Sequence, residues 1–355
     1  MSFFTPEELT SLRINRMILH VVGSRGDFDP QPEMAEIEDE GFFIARIQDF
    51  ASDSVHVFDE HSDTKATLQR LASGTMGFED AGQTLARRFS NDHVGSSRDG
   101  AFFVFEIGCA DNRANFYCMI KYDYRQAIEL YEDHGRNALR RIIQAFIQEK
   151  RAIQKCCLVR VTDGVLNDDV SAIDRMGKAP DLTDYFKSFL QVNRNRTDQE
   201  LNRSLNEAIR STLEMCKHHL PDGAATALDL VREHLRGREN IDEESVREAI
   251  FVAAGRPENE EVQSEIEKVT NREMRRKRLS GVTFKPDPQI LRRAPRRRIR
   301  TAEGVAIEYP GDQDQRAVVK TTEGRTTTIT ITTSQALVED VTLPYKPRDE
   351  ARSLV

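Results

Sequence analysis

The stretch "AFFVFEIGCADNRANFYCMIKYDY", residues 101–124, decides the fold class. It holds two aromatic-rich runs, "AFFVFEIGCA" and "NFYCMIKYDY", separated by "DNRA". Aromatic and β-branched runs around a turn composition read as an antiparallel hairpin. Moving outward, "INRMILHVV" (14–22) is apolar and β-branched enough for a strand, and "CCLVRV" (156–161) reads as a short one. "AEIEDEGFFIARIQDFA", "FEDAGQTLARRFSND" and "NALRRIIQAFIQEK" (137–150) place apolar residues at three-to-four spacing, the helical period. Strands and helices mix without regular βαβ alternation. The fold class expected is therefore α+β, with antiparallel strands in a mixed N-terminal domain.

After "TDGVLNDD" (162–169) the chain reads as helix after helix. "TDQELNRSLNEAIRSTLEMCKHHLP" opens on a capping box, Thr197 with Glu200. Leu201, Leu205, Ala208, Ile209, Leu213, Cys216 and Leu220 then form one apolar stripe ending at Pro221. "TALDLVREHLRG" follows, then "NIDEESVREAIFVAAG" with an expected box from Asn240 to Glu243. "ENEEVQSEIEKVTNREMRRKRL" has acids first and bases last, the order a helix dipole favours. "DPQILRRA" reads as a turn or two of helix capped by Asp287, and "GVAIEYP", "RAVVKTT" and "RTTTITIT" as a small β-meander. Two domains are expected: 1–170, α+β, and 171–355, a mainly helical half that carries a basic segment over 272–300 and closes on the terminal strands.

The 355 residues carry a formal charge of −8, and mean hydropathy is −0.57. Between Arg272 and Arg300 twelve Lys or Arg face two acids, a local +10. The rest of the chain is then −18, the difference between −8 and +10. Such a split suits one surface that meets a polyanion while the remainder stays clear of it. Arg292, Arg293, Arg296, Arg297, Arg298 and Arg300 are the only bases of 290–300, and guanidinium forks suit phosphate oxygens. In an extended segment Arg296, Arg298 and Arg300 would share one edge, with Arg297 on the other. Arg275, Arg276, Lys277 and Arg278 from the preceding helix are expected to support them. No helix-turn-helix signature, zinc finger or RNA-binding aromatic pair accompanies these residues, so affinity without sequence preference is expected.

Constellations for catalysis are absent from the sequence. "DRMGKAP" lacks the first glycine of a phosphate loop, and the eight histidines include no H-x-H or H-E-x-x-H. His218 and His219 are read as helix C-terminal cations, not metal ligands. Asp63-x-Lys65 resembles half of a nuclease motif but leads into a helix. Five cysteines without C-x-x-C point to free thiols, reducing cytosol and no structural metal. The first residues lack a signal-peptide pattern, and no run approaches the roughly 20 apolar residues of a membrane span. The expectations are thus no catalytic residues, no cofactor and no metal, in a cytoplasmic chain whose long amphipathic helices also suit homo-oligomers.

"INRMILHVV", "DYFKSFLQVNRNRTDQE" and "FKPDPQILRRAPRRRIRTAEGVAIEYP", in that order, resemble the bacterial 37-kDa nucleoid-associated proteins of the NdpA type. The resemblance implies a cytoplasmic protein found with the nucleoid, with a mixed N-terminal domain and a helical half closed by strands. It implies no catalytic residues. The chain departs from that family at "RRRIRTAEG", where the family is lighter in arginine and richer in glycine. The leading expectation is a nucleoid-associated, double-stranded DNA-binding protein. The alternative is a non-catalytic interaction component of a mobile-element or phage-defence assembly, its arginines meeting an acidic protein surface.

Overall fold

The computed structural model describes residues 3–23, 28–92, 100–111, 113–123, 125–133, 136–145, 153–292, 296–311, 314 and 317–333. Within 123–145 only the backbone is described. The fold is α+β. Its elements run α1 (Pro6–Leu9), β1 (Arg13–Val22), α2 (Glu40–Phe50), β2 (His56–Phe58), α3 (Asp63–Ala72), α4 (Phe78–Asp92), β3 (Gly100–Gly108) and β4 (Ala114–Asp123). There follow β5 (Arg125–Asp133), β6 (Arg136–Ala145), β7 (Ile153–Thr162), β8 (Val165–Asp174), α5 (Asp184–Leu190) and β9 (Val192–Arg194). The remainder is α6 (Asp198–Met215), α7 (Gly223–Arg236), α8 (Glu243–Ala253), α9 (Glu260–Arg276), β10 (Arg296–Arg300), β11 (Ala306–Pro310), β12 (Val318–Glu323) and β13 (Thr326–Ile331).

The expected hairpin is β3–β4, in register from Gly100↔Asp123 to Gly108↔Asn115. It supplies the second and third strands of a seven-stranded sheet in the order β1-β3-β4-β7-β8-β2-β9, with every neighbouring pair antiparallel. Its runs are apolar at successive residues because both faces are covered. Phe102, Val104, Tyr117, Met119, Cys157 and Val159 enter a core with α3, α4 and α5. Phe103, Phe105, Phe116, Cys118, Cys156 and Leu158 enter a second core with α2 and the N-terminal segment. Adjacent Cys156 and Cys157 thus face opposite ways, as strand geometry requires.

One expected helix is a strand. Residues 136–145 form β6, paired with β5 from Asp133↔Arg136 to Arg125↔Ala145. Residues 146–150 of that expected helix lie outside the described residues. Pairing with a neighbouring strand overrides the helical spacing of Leu139, Ile142 and Ile143, as short apolar runs permit.

The chain divides into compact units at 1–292 and 293–355. The division expected at residue 170 falls inside β8, where Val170 pairs with Val159 on one side and His56 on the other. "TDG" is a hairpin turn: Asp163 (φ 51) and Gly164 (φ 76) connect Thr162 to its partner Val165. Two residues with positive φ make the turn that suits strand twist.

Beyond β9 the first unit is helical. The Thr197–Glu200 capping box is formed, and Leu201, Leu205, Ala208, Ile209, Leu213 and Cys216 are buried with residues of α7, α8 and α9. The apolar stripe that suggested self-association is therefore consumed inside the chain. The α8 box is Asp242 with Ser245, not Asn240 with Glu243. Ile241 exchanges both backbone hydrogen bonds with Phe284 (2.8 and 3.0 Å), so its backbone stays extended and the helix starts after it.

The sheet and the helical part of this unit meet along Ala51–Val55. Asp53 N–H donates to Ser280 O (2.7 Å), and Ser280 N–H donates to Asp53 Oδ2 (2.8 Å). Gly281, at φ +67, lies so close that a Cβ would stand 2.9 Å from the Ala51 carbonyl oxygen. Val55 joins the helical core.

In the second unit the expected meander is two separate two-stranded sheets, β10–β11 and β12–β13. The arginine run is itself a strand.

Candidate nucleic-acid interface

Four of the candidate basic residues lie together at the end of α9. Arg275 and Arg276 occupy its last turn and Lys277 its C-cap, where cations suit the exposed carbonyls. Arg278 follows at φ +55, the left-handed position that usually takes glycine, and Leu279 N–H returns to Met274 O (3.0 Å). Their partners are carboxylates. Arg276 pairs with Glu273 and donates to Ser211 Oγ (3.1 Å), and Lys277 pairs with Glu207. Arg278 Nη2 donates to Asp169 Oδ2 (3.0 Å) on β8, while Arg196 donates to its carbonyl. Arg278 is thus a strap between sheet and helices. Arg275 is exposed.

"DPQILRRA" is a turn, not a helix. Asp287 Oδ1 accepts from Gln289 N–H (2.8 Å) and Leu291 N–H donates to Asp287 O (3.0 Å), but no helix forms among the described residues, and the next element is β10. Arg292 is exposed at its end. Arg293 lies outside the described residues.

In the second unit, β10 pairs antiparallel with β11 in the register Arg296↔Pro310, Arg298↔Glu308, Arg300↔Ala306. Arg298 donates from Nε (3.1 Å) and Nη2 (2.7 Å) to Glu308 Oε2, the carboxylate directly opposite. Arg296 Nε reaches the other oxygen of Glu308 at 3.1 Å. Hydrogen bonding from Arg298 holds the Glu308 carboxyl below its ordinary range. Arg297, on the opposite face, pairs with Asp314, whose Oδ1 accepts from Tyr309 O–H (2.8 Å). The expected alternation is present, and each arginine side chain from 296 to 298 is more than half exposed. Arg275, Arg292 and Arg300 have no carboxylate partner among the described residues.

Asp63 faces Arg88 (3.4 Å) and Lys65 faces Asp168 (2.7 Å), so the nuclease-like pair is divided between two ion pairs. A cleft of about 290 Å³ is lined by Asp53, Ser54, Arg160, Asn167, Asp169 and Arg278. Burial pushes its Asp53 carboxyl up to about 6. Its guanidinium groups are already held, Arg160 by Glu8 and Arg278 by Asp169. The five cysteines are buried free thiols, and burial pushes Cys118 and Cys157 up and Cys216 to about 11. They are poor nucleophiles in this state.

The histidine pair lies just past the C-terminus of α6, the expected place, and meets a carboxylate there. His218 and His219 stand on a 3-10 turn (Lys217–His219) after α6 and converge on Glu265 of α9. Nothing in the sequence linked Glu265 to them, because 46 residues separate it from His219.

Comparison with models of known protein families gives no match, and no curated protein matches the chain. The resemblance to nucleoid-associated proteins stands on its three segments alone. No helix among the described residues is long and apolar enough to cross a membrane.

Proposed function

We propose that this chain is a non-catalytic, largely sequence-nonspecific binder of double-stranded DNA, associated with the nucleoid in the cytoplasm. The observation that carries the reading is β10. It is an exposed strand with arginine at four of five positions, three of them on one face about 6.8 Å apart. One carboxylate, Glu308, faces that row, so the row keeps net positive charge. Exposed ion pairs of this kind contribute under about 1 kcal/mol each, so phosphate oxygens can displace or share them. The end of α9 supplies further cations on the first unit. Both units belong to one chain, so two weak contacts add through effective concentration.

A salt titration with duplex and single-stranded probes tests this. Neutralising about four to six phosphates gives a slope of log K against log salt of roughly −4 to −5. A slope near zero, or no binding at 50 mM salt, sinks the reading.

The pairs that Arg296, Arg297 and Arg298 already make support a second reading, in which the ribbon recognises carboxylates of an acidic protein surface. That would suit an interaction component of a defence or mobile-element assembly. Nuclease treatment of a lysate separates the two, because partners held through DNA are released and partners held through carboxylates remain.

A further inference from the structure

We propose that His218, His219 and Glu265 form a surface site for a borderline divalent cation, zinc foremost. The three residues come from two elements and converge. His218 Nε2 lies 3.5 Å from Glu265 Oε1, and His219 Nε2 lies 3.0 Å from Glu265 Oε2. Each carboxylate oxygen therefore faces a different imidazole. One ligand atom from each residue lies within 4.8 Å of the other two.

These distances suit a metal. Zinc bonds of about 2.0–2.1 Å in tetrahedral geometry place neighbouring ligand atoms about 3.3 Å apart. Both nitrogen–oxygen separations lie within about 0.3 Å of that value, but they run to different oxygens of Glu265, so a single metal requires one imidazole to turn toward the other's oxygen. The remaining slack falls on His218, whose side chain is more than half exposed and can turn without disturbing the core. Two imidazoles and one carboxylate leave a fourth position for water.

The backbone on both sides is fixed. Cys216 and Leu220, flanking the histidines, are buried in the helical core, as is Ile266 beside Glu265. Beside the turn, the Arg272 side chain of α9 lies against Met215, the last residue of α6. The ligands thus sit on packed elements, the arrangement that holds a site in shape.

The donor set selects the cation. Imidazole nitrogen favours zinc, nickel and copper(II), whereas magnesium and calcium require oxygen ligands. A cation here would take the place of the direct imidazole–carboxylate contacts and cross-link the Lys217–His219 turn to α9. Imidazole ligates metal only through an unprotonated nitrogen, so zinc and protons compete for these side chains.

The test uses the full chain washed with chelator and titrated with zinc chloride at pH 7.5, read by a competing chromophoric chelator and by thermal melting. Wild-type protein should take up one equivalent and melt at a higher temperature, with no such shift from magnesium. His218→Ala/His219→Ala should lose at least tenfold in zinc affinity together with the shift in melting, and Glu265→Gln should lose part of both. Cobalt(II) should give the intense visible bands of four-coordinate metal in wild type only. These side chains are at the surface, so circular dichroism should show every variant folded. Absence of saturable zinc uptake, or uptake that survives the double variant, overturns the proposal.

Discussion

Lys155 is 1% exposed and its Nζ donates to Asp174 Oδ2 (2.5 Å) and Thr183 Oγ1 (2.8 Å). It also stands over the rings of Tyr185 (4.4 Å) and Phe186 (5.2 Å). Asp174 ends β8, and it accepts from Thr183 N–H (2.9 Å), Thr183 O–H (2.6 Å) and Met176 N–H (3.0 Å) as well. This network clamps the 175–183 segment and sets α5, whose Phe186 and Phe189 fill the core. Lys155→Met keeps most of the volume and removes the cation, stranding a buried carboxylate. Breaking a buried pair this way costs about 3–5 kcal/mol. The three remaining donors still hold Asp174, which places the expected loss near the lower end, about 3 kcal/mol. For the unit spanning residues 1–292, at about 2.1 cal/mol/K of unfolding entropy per residue, that is a fall in Tm of roughly 5 °C. Lys155→Met/Asp174→Leu removes both charges and frees the Thr183 and Met176 donors, but Met176 is exposed and Thr183 half-buried, so water replaces most of those bonds and a cost of about 1–3 kcal/mol remains. The double variant should then be no less stable than the single one, and the cycle should show coupling of about 2 kcal/mol or more. Urea unfolding followed by circular dichroism measures this. If Lys155→Met lies within about 1 kcal/mol of wild type, or the two changes simply add, the network is not an electrostatic clamp.

Acid should destabilise the chain between about pH 6.5 and 4. His20 and His56 are buried, and burial lowers both to about 4. Below the unfolded value near 6.5 the unfolded chain gains protons that the folded one refuses, so stability present above pH 6.5 is lost as pH falls, about 2 kcal/mol per histidine by pH 5. Asp53, raised to about 6, works with the opposite sign: its burial penalty grows as pH climbs from 4 to 6. His20→Leu should therefore gain about 2 kcal/mol more against wild type at pH 5 than at pH 7.5, and equal differences at both pH values would refute this. Gly82→Ala would place a Cβ 2.5 Å from Ile18 Cγ2 where α4 meets β1. Overpacking of about 1–3 kcal/mol exceeds the helix-propensity gain of about 1 kcal/mol, so the urea midpoint should fall, and a rise would show that this contact relaxes freely.

The β3–β4 hairpin was legible because its aromatic runs are buried on both faces, and the α6 capping box because its signature is local. β6 was not, because Leu139, Ile142 and Ile143 fit a helix equally well and only pairing with β5 decides. β8 was hidden by "NDD", polar residues on a strand whose Leu166, Val170 and Ala172 reach the core. The Asp-Gly turn before it carried the missing hairpin signal. The arginine alternation could be read from the strand period, but Glu308 and Asp314 as its partners depend on β11 folding back. Arg278 was read as surface and is a strap to Asp169, a contact between residues 109 positions apart. The convergence of His218 and His219 on Glu265 is equally non-local.

The proposal that β10 follows phosphates is tested most directly by Arg296→Ala/Arg298→Ala/Arg300→Ala, which strips the three arginines of one face. The measurement is duplex affinity against salt, alongside Tm. Each lost phosphate contact removes about 0.9 from the slope, so the variant should flatten it by roughly 2–3 units and weaken binding equally across sequences. Its Tm should hardly move, because exposed pairs to Glu308 contribute under about 1 kcal/mol each. A variant that binds DNA as wild type does and melts several degrees lower would contradict the account, and would make the ribbon an internal strap.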